Sequence, residues 1–305
     1  MGQIHKFRAF QLARQYDFVP MYPSVATKDP FAVQKEVQAI YLQMFPEDEQ
    51  AFMPRVFGWA IECFTGKHQD YQAVDARYHD LEHTMQGTLC LARLLRGRHC
   101  AGTQPALTGH MFQIAIIAIL FHDTGYLKRR NDPQGTGAKY TVTHVVRSSD
   151  FAAAVLGEHG FNNQDIHAVQ NMIRCTGINA NLAAIPFQSE LERVAGFALA
   201  TADLLGQMSA PDYVEKLPIL YSEFAEAAQF TGDKNHFVAS FSSAQDLLER
   251  TPYFWHELVL PKLEKDFLGL YRFLNEPYPG GPNEYVQRVE ANMGRLRQTS
   301  GEPVA

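Results

Sequence analysis

Three fragments of the chain, Tyr78-His79-Asp80-Leu81-Glu82-His83, Phe121-His122-Asp123-Thr124-Gly125-Tyr126 and Ala202-Asp203-Leu204-Leu205, together read as one divalent-metal site. Imidazole and carboxylate hold a transition metal between them, and a metal so held acts as a Lewis acid and lowers the pKa of water toward neutrality. His79 and His83 are four apart, so on a helix they leave from one face, where one can bind metal while the other reaches a substrate. Taken alone, the pair reads equally well as a solvated helix start.

His122-Asp123 ends a stretch, Ile114 to Phe121, that is apolar on every side and therefore reads as a buried helix. An imidazole and a carboxylate at the end of such a helix cost several kcal/mol unless each is paired or bound to a cation. Asp203 repeats the problem on Val194 to Ala202, whose small side chains imply close helix packing and whose helix offers only Arg193, more than two turns away. The competing reading for Asp203 is a salt bridge to a distant arginine.

The elements that position these residues read as helices. Apolar periodicity predicts helices near 31–44, 48–64, 79–97, 107–122, 144–158, 163–175, 188–207, 211–229, 236–249, 254–274 and 283–297, and alternating strand patterns are nearly absent, so the expected fold class is all-α. One large helical domain over 31–276 is expected, with its motif core at 75–206, an extension over 1–30 and another over 277–305. A net charge of −6 and a pI near 6.1 give no general attraction for nucleic acid or an anionic membrane, and no run approaches the roughly 20 apolar residues of a bilayer span. A small-molecule partner is favoured. Cys63, Cys90, Cys100 and Cys175 lack the short spacing of a zinc ribbon or redox motif and read as reduced thiols of a cytoplasmic protein; the start, Met1-Gly2-Gln3-Ile4-His5-Lys6, resembles neither a signal peptide nor a myristoylation motif.

In this order, His, then His-Asp, then Asp, the fragments resemble the HD-domain metal phosphohydrolases, a group that includes the cyclic-nucleotide phosphodiesterases. The resemblance spans residues 75 to 206 and implies an HD/PDEase-like helical bundle. It implies that His83, His122, Asp123 and Asp203 ligate metal and that His79 donates a proton to the leaving oxygen, as the first His does in the phosphodiesterase Tyr-His-Asn-x-x-His motif. Two positions depart from the phosphodiesterases: Asp80 replaces Asn, and Tyr126 stands where His-Asp-x-x-His has its last His. His-Asp-x-Gly-Tyr is nearer to bacterial members of the superfamily. Several of those hold a second metal with later histidines, and His144, in Thr143-His144-Val145-Val146-Arg147-Ser148, is similar to their His-Glu-x-x-Ser segment apart from Val145.

The resemblance therefore implies a phosphoric ester hydrolase with one or two divalent ions, among which Zn, Fe, Mn, Ni and Mg are not distinguishable from the ligand set, with Asp123 and His79 as the catalytic pair. Lys128 and Arg129, just past the second motif, are candidate phosphate contacts, with Arg147 and Arg174 as weaker ones. Gln207 and Tyr213, close after Asp203, are candidate contacts to a nucleobase, whereas Phe254 and Trp255 read as core. Two alternatives stay open: a di-iron oxygenase of similar ligand order, supported by His144 and His167, and a non-catalytic metal-containing nucleotide-binding module.

Overall fold

The computed structural model describes residues 22–177, 180–231 and 239–299. The fold is all-α: eleven α-helices, joined by short 3₁₀ turns and with no β-strand longer than an isolated bridge among the described residues. They are α1 (Pro30–Met44), α2 (Phe52–Phe64), α3 (Leu81–Cys100), α4 (Gly109–Phe121), α5 (His144–Glu158), α6 (Asn163–Ile173), α7 (Glu190–Met208), α8 (Tyr213–Thr231), α9 (Ala244–Phe254), α10 (Leu260–Lys265) and α11 (Glu284–Thr299). Among the described residues, no helix is long and apolar enough to cross a membrane.

Local chemistry sets the ends that matter. Asp80 caps α3 by accepting from the backbone N–H of His83 at 2.9 Å, Thr108 caps α4, and Ser189 caps α7. The capping role explains why a carboxylate stands at Asp80: an Asp serves the helix N-terminus as well as an Asn. Helix α4 is apolar all round and fully buried from Ile114 to Phe121, as its composition predicts, and packs between α3, α6 and α7.

The central crossing is α3 on α7. A Cβ on Gly206 would stand 2.8 Å from the carbonyl carbon of Gln86 and from the amide nitrogen of Gly87, and one on Gly87 would approach the Cα of Asp203 at 3.7 Å. Glycine on both helices brings their backbones together, which seats His83 and Asp203 opposite one another. Gly125 does the same for the turn after α4, where a Cβ would lie 2.1 Å from the carbonyl oxygen of His144.

Two expectations are corrected. The stretch from 254 to 274 is not one helix: a π-helical turn at Trp255–Val259 leads into α10, and left-handed Leu268 and Gly269 then break the chain before a 3₁₀ turn at Leu270–Leu274. Helix α11 is not a peripheral addition, since Val289, Met293 and Leu296 are fully buried in the same apolar core as α3 and α7. Its low mean hydropathy hid a narrow apolar stripe at i, i+4, i+7. Of the expected N-terminal extension, residues 1–21 lie outside the described residues, as does the start of the helix expected from 236, while Tyr22 is buried against α11.

Replacing Gly206 by Ala is expected to destabilise the protein by about 1–3 kcal/mol, because helix backbone rather than a side-chain tip must give way. Gly58→Ala, with nothing within 4 Å of its new methyl group, is expected to be neutral or stabilising by about 0.5–1 kcal/mol. Urea unfolding midpoints of the two variants test the contrast.

Candidate metal centre

His83 leaves the first turn of α3, His122 and Asp123 sit where α4 ends, and Asp203 lies in the last turns of α7. Their side chains meet. His83 Nε2 is 3.2 Å from Asp123 Oδ2 and 3.2 Å from Asp203 Oδ1; His122 Nε2 is 3.3 Å from each of the same two oxygens. The ligand atoms of His83, His122 and Asp123 all lie within 4.8 Å of one another, so this buried cluster can hold a metal ion.

Three features of the donor set fit a cation. First, adjacent ligand atoms around an ion at ~2.1 Å stand ~3.0 Å apart in an octahedral shell and ~3.4 Å in a tetrahedral one, and the four N···O edges fall in this interval. Second, His122 is 1 % exposed and Asp123 is 2 % exposed, yet His122 Nε2 and Asp123 Oδ2 make no hydrogen bond. They converge on a shared point instead of bonding to each other. Third, His122 Nδ1 donates to the carbonyl of Ile119 at 2.7 Å, which fixes the tautomer and leaves the Nε2 lone pair for an ion.

The electrostatics tell the same story. Burial alone would lower the His83 imidazole, but Asp123 and Asp203 drive its pKa up to about 10; His122 is raised against the same burial by the same carboxylates. Burial would raise both aspartates, and the two imidazoles hold them well below the usual carboxylate range instead. The pair of carboxylates demands positive charge at its centre, and without a metal a proton on His83 supplies it.

Around the cluster lie residues that the sequence reading assigned in part. His79 Nδ1 is 2.6 Å from Glu223 Oε2, and Glu223 Oε1 accepts from the backbone N–H of Tyr78 at 2.7 Å. Burial would raise the Glu223 carboxyl, but His79 outweighs it and brings the pKa down. Tyr126 packs its ring on His79, with centroids 4.4 Å apart and planes 10° apart, and on His144 at 4.8 Å. His144 Nδ1 donates to the Thr141 carbonyl at 2.6 Å, and its Nε2 lies 3.8 Å from Asp123 Oδ1, the oxygen of Asp123 turned away from the other imidazoles. Gln207 is brought to the centre as a support: its amide donates to Asp203 Oδ1 at 3.3 Å and accepts from the Tyr78 hydroxyl at 2.8 Å.

Other expected contacts are not brought there. Lys128 is buried and bound to Asp75 Oδ2 at 2.8 Å and the Gly135 carbonyl at 2.6 Å, so it ties down a loop and does not face the cluster. Arg129 is exposed and lies 5.1 Å over the ring of Tyr71. Arg147 donates to the carbonyls of Gly125 and Leu127, clamping α5 onto the turn that carries Asp123. Arg174 and His167 are exposed, and Tyr213 is buried without a hydrogen bond to the cluster. Trp255 is core, donating to Glu290.

Sequence reasoning missed Glu223 and the packing role of Tyr126. The one signal for Glu223 was an acidic residue on the apolar face of α8, beside Phe224.

A family model described as Npun_R2479-like matches residues 32–136 and 130–275. The chain belongs to the Npun_R2479-like family. The matched stretches overlap in the loop after the second motif, so this Npun_R2479-like chain carries His83, His122 and Asp123 in the first stretch and Asp203 in the second. No curated protein matches it.

Metal binding is expected to expel protons. His83 without metal titrates at about 10, above the about 6.5 of the unfolded chain, so its proton stabilises the metal-free fold fully below pH about 6.5 and that contribution fades as pH rises toward 10. Over the same window an arriving ion must displace the proton, and metal affinity climbs with pH. Calorimetric titration of chelator-treated protein with zinc, in two buffers of different ionisation enthalpy at about pH 8, should give about one proton released per ion; buffer-independent heats would count against this assignment.

Proposed function

We propose that the protein is a metal-dependent phosphohydrolase that cleaves a nucleotide-type phosphoester with a metal-activated water and a histidine general acid. The observation that carries the reading is the juxtaposition of the buried His83, His122, Asp123, Asp203 set with a His79–Glu223 pair one helical turn from His83. The motif-level resemblance to HD-domain phosphohydrolases supports the same assignment.

A divalent ion held by those four residues supplies Lewis acidity at a phosphoryl oxygen and a lowered pKa for water. The chain supplies the rest. Glu223 accepts from His79 Nδ1 and fixes the ring's orientation, so that the opposite nitrogen is the one placed to pass a proton to a leaving oxygen. The ring of Tyr126 backs His79 and limits its rotation. Gln207 and the Tyr78 hydroxyl hold Asp203 in place and keep the amide in one orientation. The basic side chains offered by the sequence are committed elsewhere, so positive charge for the substrate would come from the ion.

His144 favours one variation. Its Nε2 lies 3.8 Å from the second oxygen of Asp123, and His144 with Asp123 would hold a second, looser ion. A di-iron oxygenase would use the same arrangement, but His167, its other expected support, is exposed. A catalytic proton donor held by a buried carboxylate argues against a purely regulatory module, which has no use for one. The four cysteines are free thiols, Cys100 alone of them exposed, which fits a reducing, cytoplasmic setting.

Phosphate release from cyclic, linear and dinucleotide phosphates, measured on protein as purified with its metal content assayed, tests the reading. Activity should disappear with chelator and in Asp123→Ala. His79→Asn should keep the metal and lose roughly 10²–10⁴-fold in kcat; Glu223→Gln should keep the metal with a smaller loss. Full activity in His79→Asn would remove the general acid from the mechanism, and metal-loaded protein that binds nucleotides without cleaving any would sink the hydrolase.

A further inference from the structure

Away from the metal centre, a buried cation lies where none of the described carboxylates pairs with it. Arg93, on α3, is 6 % exposed. Its guanidinium donates to the Tyr285 hydroxyl at 3.1 Å and the Pro23 carbonyl at 2.8 Å and lies 4.6 Å over the ring of Tyr22, all of them neutral partners. Its Nε has no acceptor, and no described carboxylate forms an ion pair with it. An arginine taken from water without a counter-charge is costly, and a fold that keeps one has a use for an anion beside it.

Arg93 lines a cavity of about 330 Å³, within the size range of small-molecule sites. The segment 23–28 roofs it, α3 contributes Gln86 and Leu89, and the start of α11 closes one side. Gln86 is buried and its amide nitrogen has no partner. The acidic side chains in the lining are already engaged: Glu82 pairs with Lys216 at 2.9 Å, and Glu284 accepts from Tyr22 N–H and pairs with Arg288. Among the buried side chains of the lining, the two polar atoms without a partner, Arg93 Nε and Gln86 Nε2, are both donors. None of the metal-centre residues lines this cavity, although Gln86 follows His83, and Gly206 follows Asp203, by one helical turn.

We propose that this cavity is a binding site for a small oxyanion, a carboxylate- or phosphate-bearing metabolite, held by Arg93. An oxyanion in the cavity that Arg93 lines neutralises a guanidinium whose other partners are all neutral. The site does not depend on what the metal centre does.

Thermal unfolding of the full chain at fixed ionic strength tests this, with citrate and inorganic phosphate as separate probes of the two oxyanion types. At least one probe at millimolar concentration is expected to raise Tm by a few degrees above the chloride control, in proportion to its occupancy. Ala26→Trp, a change at an exposed roof residue, should leave the probe-free Tm unchanged and weaken the probe's apparent affinity by about tenfold or more. Arg93→Gln should abolish the shift; if that variant does not fold, Ala26→Trp decides alone. No shift beyond chloride with either probe overturns the proposal, and so does a shift that persists in Ala26→Trp, which would mean an adventitious ion only.

Discussion

Two carboxylates, Asp123 and Asp203, are buried on opposite sides of a gap of a few ångströms, and everything around them answers that fact. Desolvated like charges at this range repel strongly, because the interior offers little dielectric screening. Only positive charge placed between them makes the arrangement tolerable. The imidazoles of His83 and His122 each stand about equally far from both carboxylates, which is the arrangement of ligands around a centre and not of two separate ion pairs. A proton on an imidazole can occupy that role, but a divalent ion does so with more charge and with bonds to the two buried atoms that otherwise have no partner.

Holding four donors to this tolerance falls to backbone contacts. The glycines at 87 and 206 remove the side chains that would separate α3 from α7, and the small residues of α7 let it lie deep among its neighbours. The turn after α4 is secured from outside by α5, through Arg147, Ser148 and the close approach at Gly125. Packed interiors respond poorly to displacement, so ligands mounted on such crossings move little. Arg147 illustrates the difference between proximity and role: it resembles a phosphate contact in the sequence, yet it works as a clamp one layer behind the histidine–aspartate cluster.

What the sequence made legible were the positions where burial and polarity conflict. His122 and Asp123 at the end of an all-apolar helix, and Asp203 on a stripe of small residues, announce themselves because each is unfavourable without a partner, and the structure brings them to one point with His83. The helices were legible for the ordinary reason of apolar spacing, with boundaries shifted by a few residues where caps such as Asp80 and Ser189 set the start. Residues whose meaning depends on a distant partner were not legible. Glu223 is 144 positions from His79, and Lys128 looked free because its partner, Asp75, lies on another segment. The π-turn at Trp255 and the stripe of α11 escaped for a different reason, since tertiary packing rather than local propensity decides both.

The charges near the centre constrain what can bind. One divalent ion exactly offsets Asp123 and Asp203, and His79, when protonated, offsets Glu223. No free lysine or arginine among those weighed from the sequence faces the gap: Lys128 is held by Asp75, Arg147 by backbone carbonyls, and Arg129 lies over an aromatic ring. A multiply charged phosphate would then meet a site of nearly zero net charge and would depend on direct ligation for its affinity. On the proposed reading, a second ion at His144 would change that balance by two charges, and His144 would then set how much negative charge a ligand can bring. Glu223 matters for the same reason. Its carboxylate is bonded to His79 Nδ1 and to the Tyr78 amide, so its negative charge is met there and not in the gap between Asp123 and Asp203.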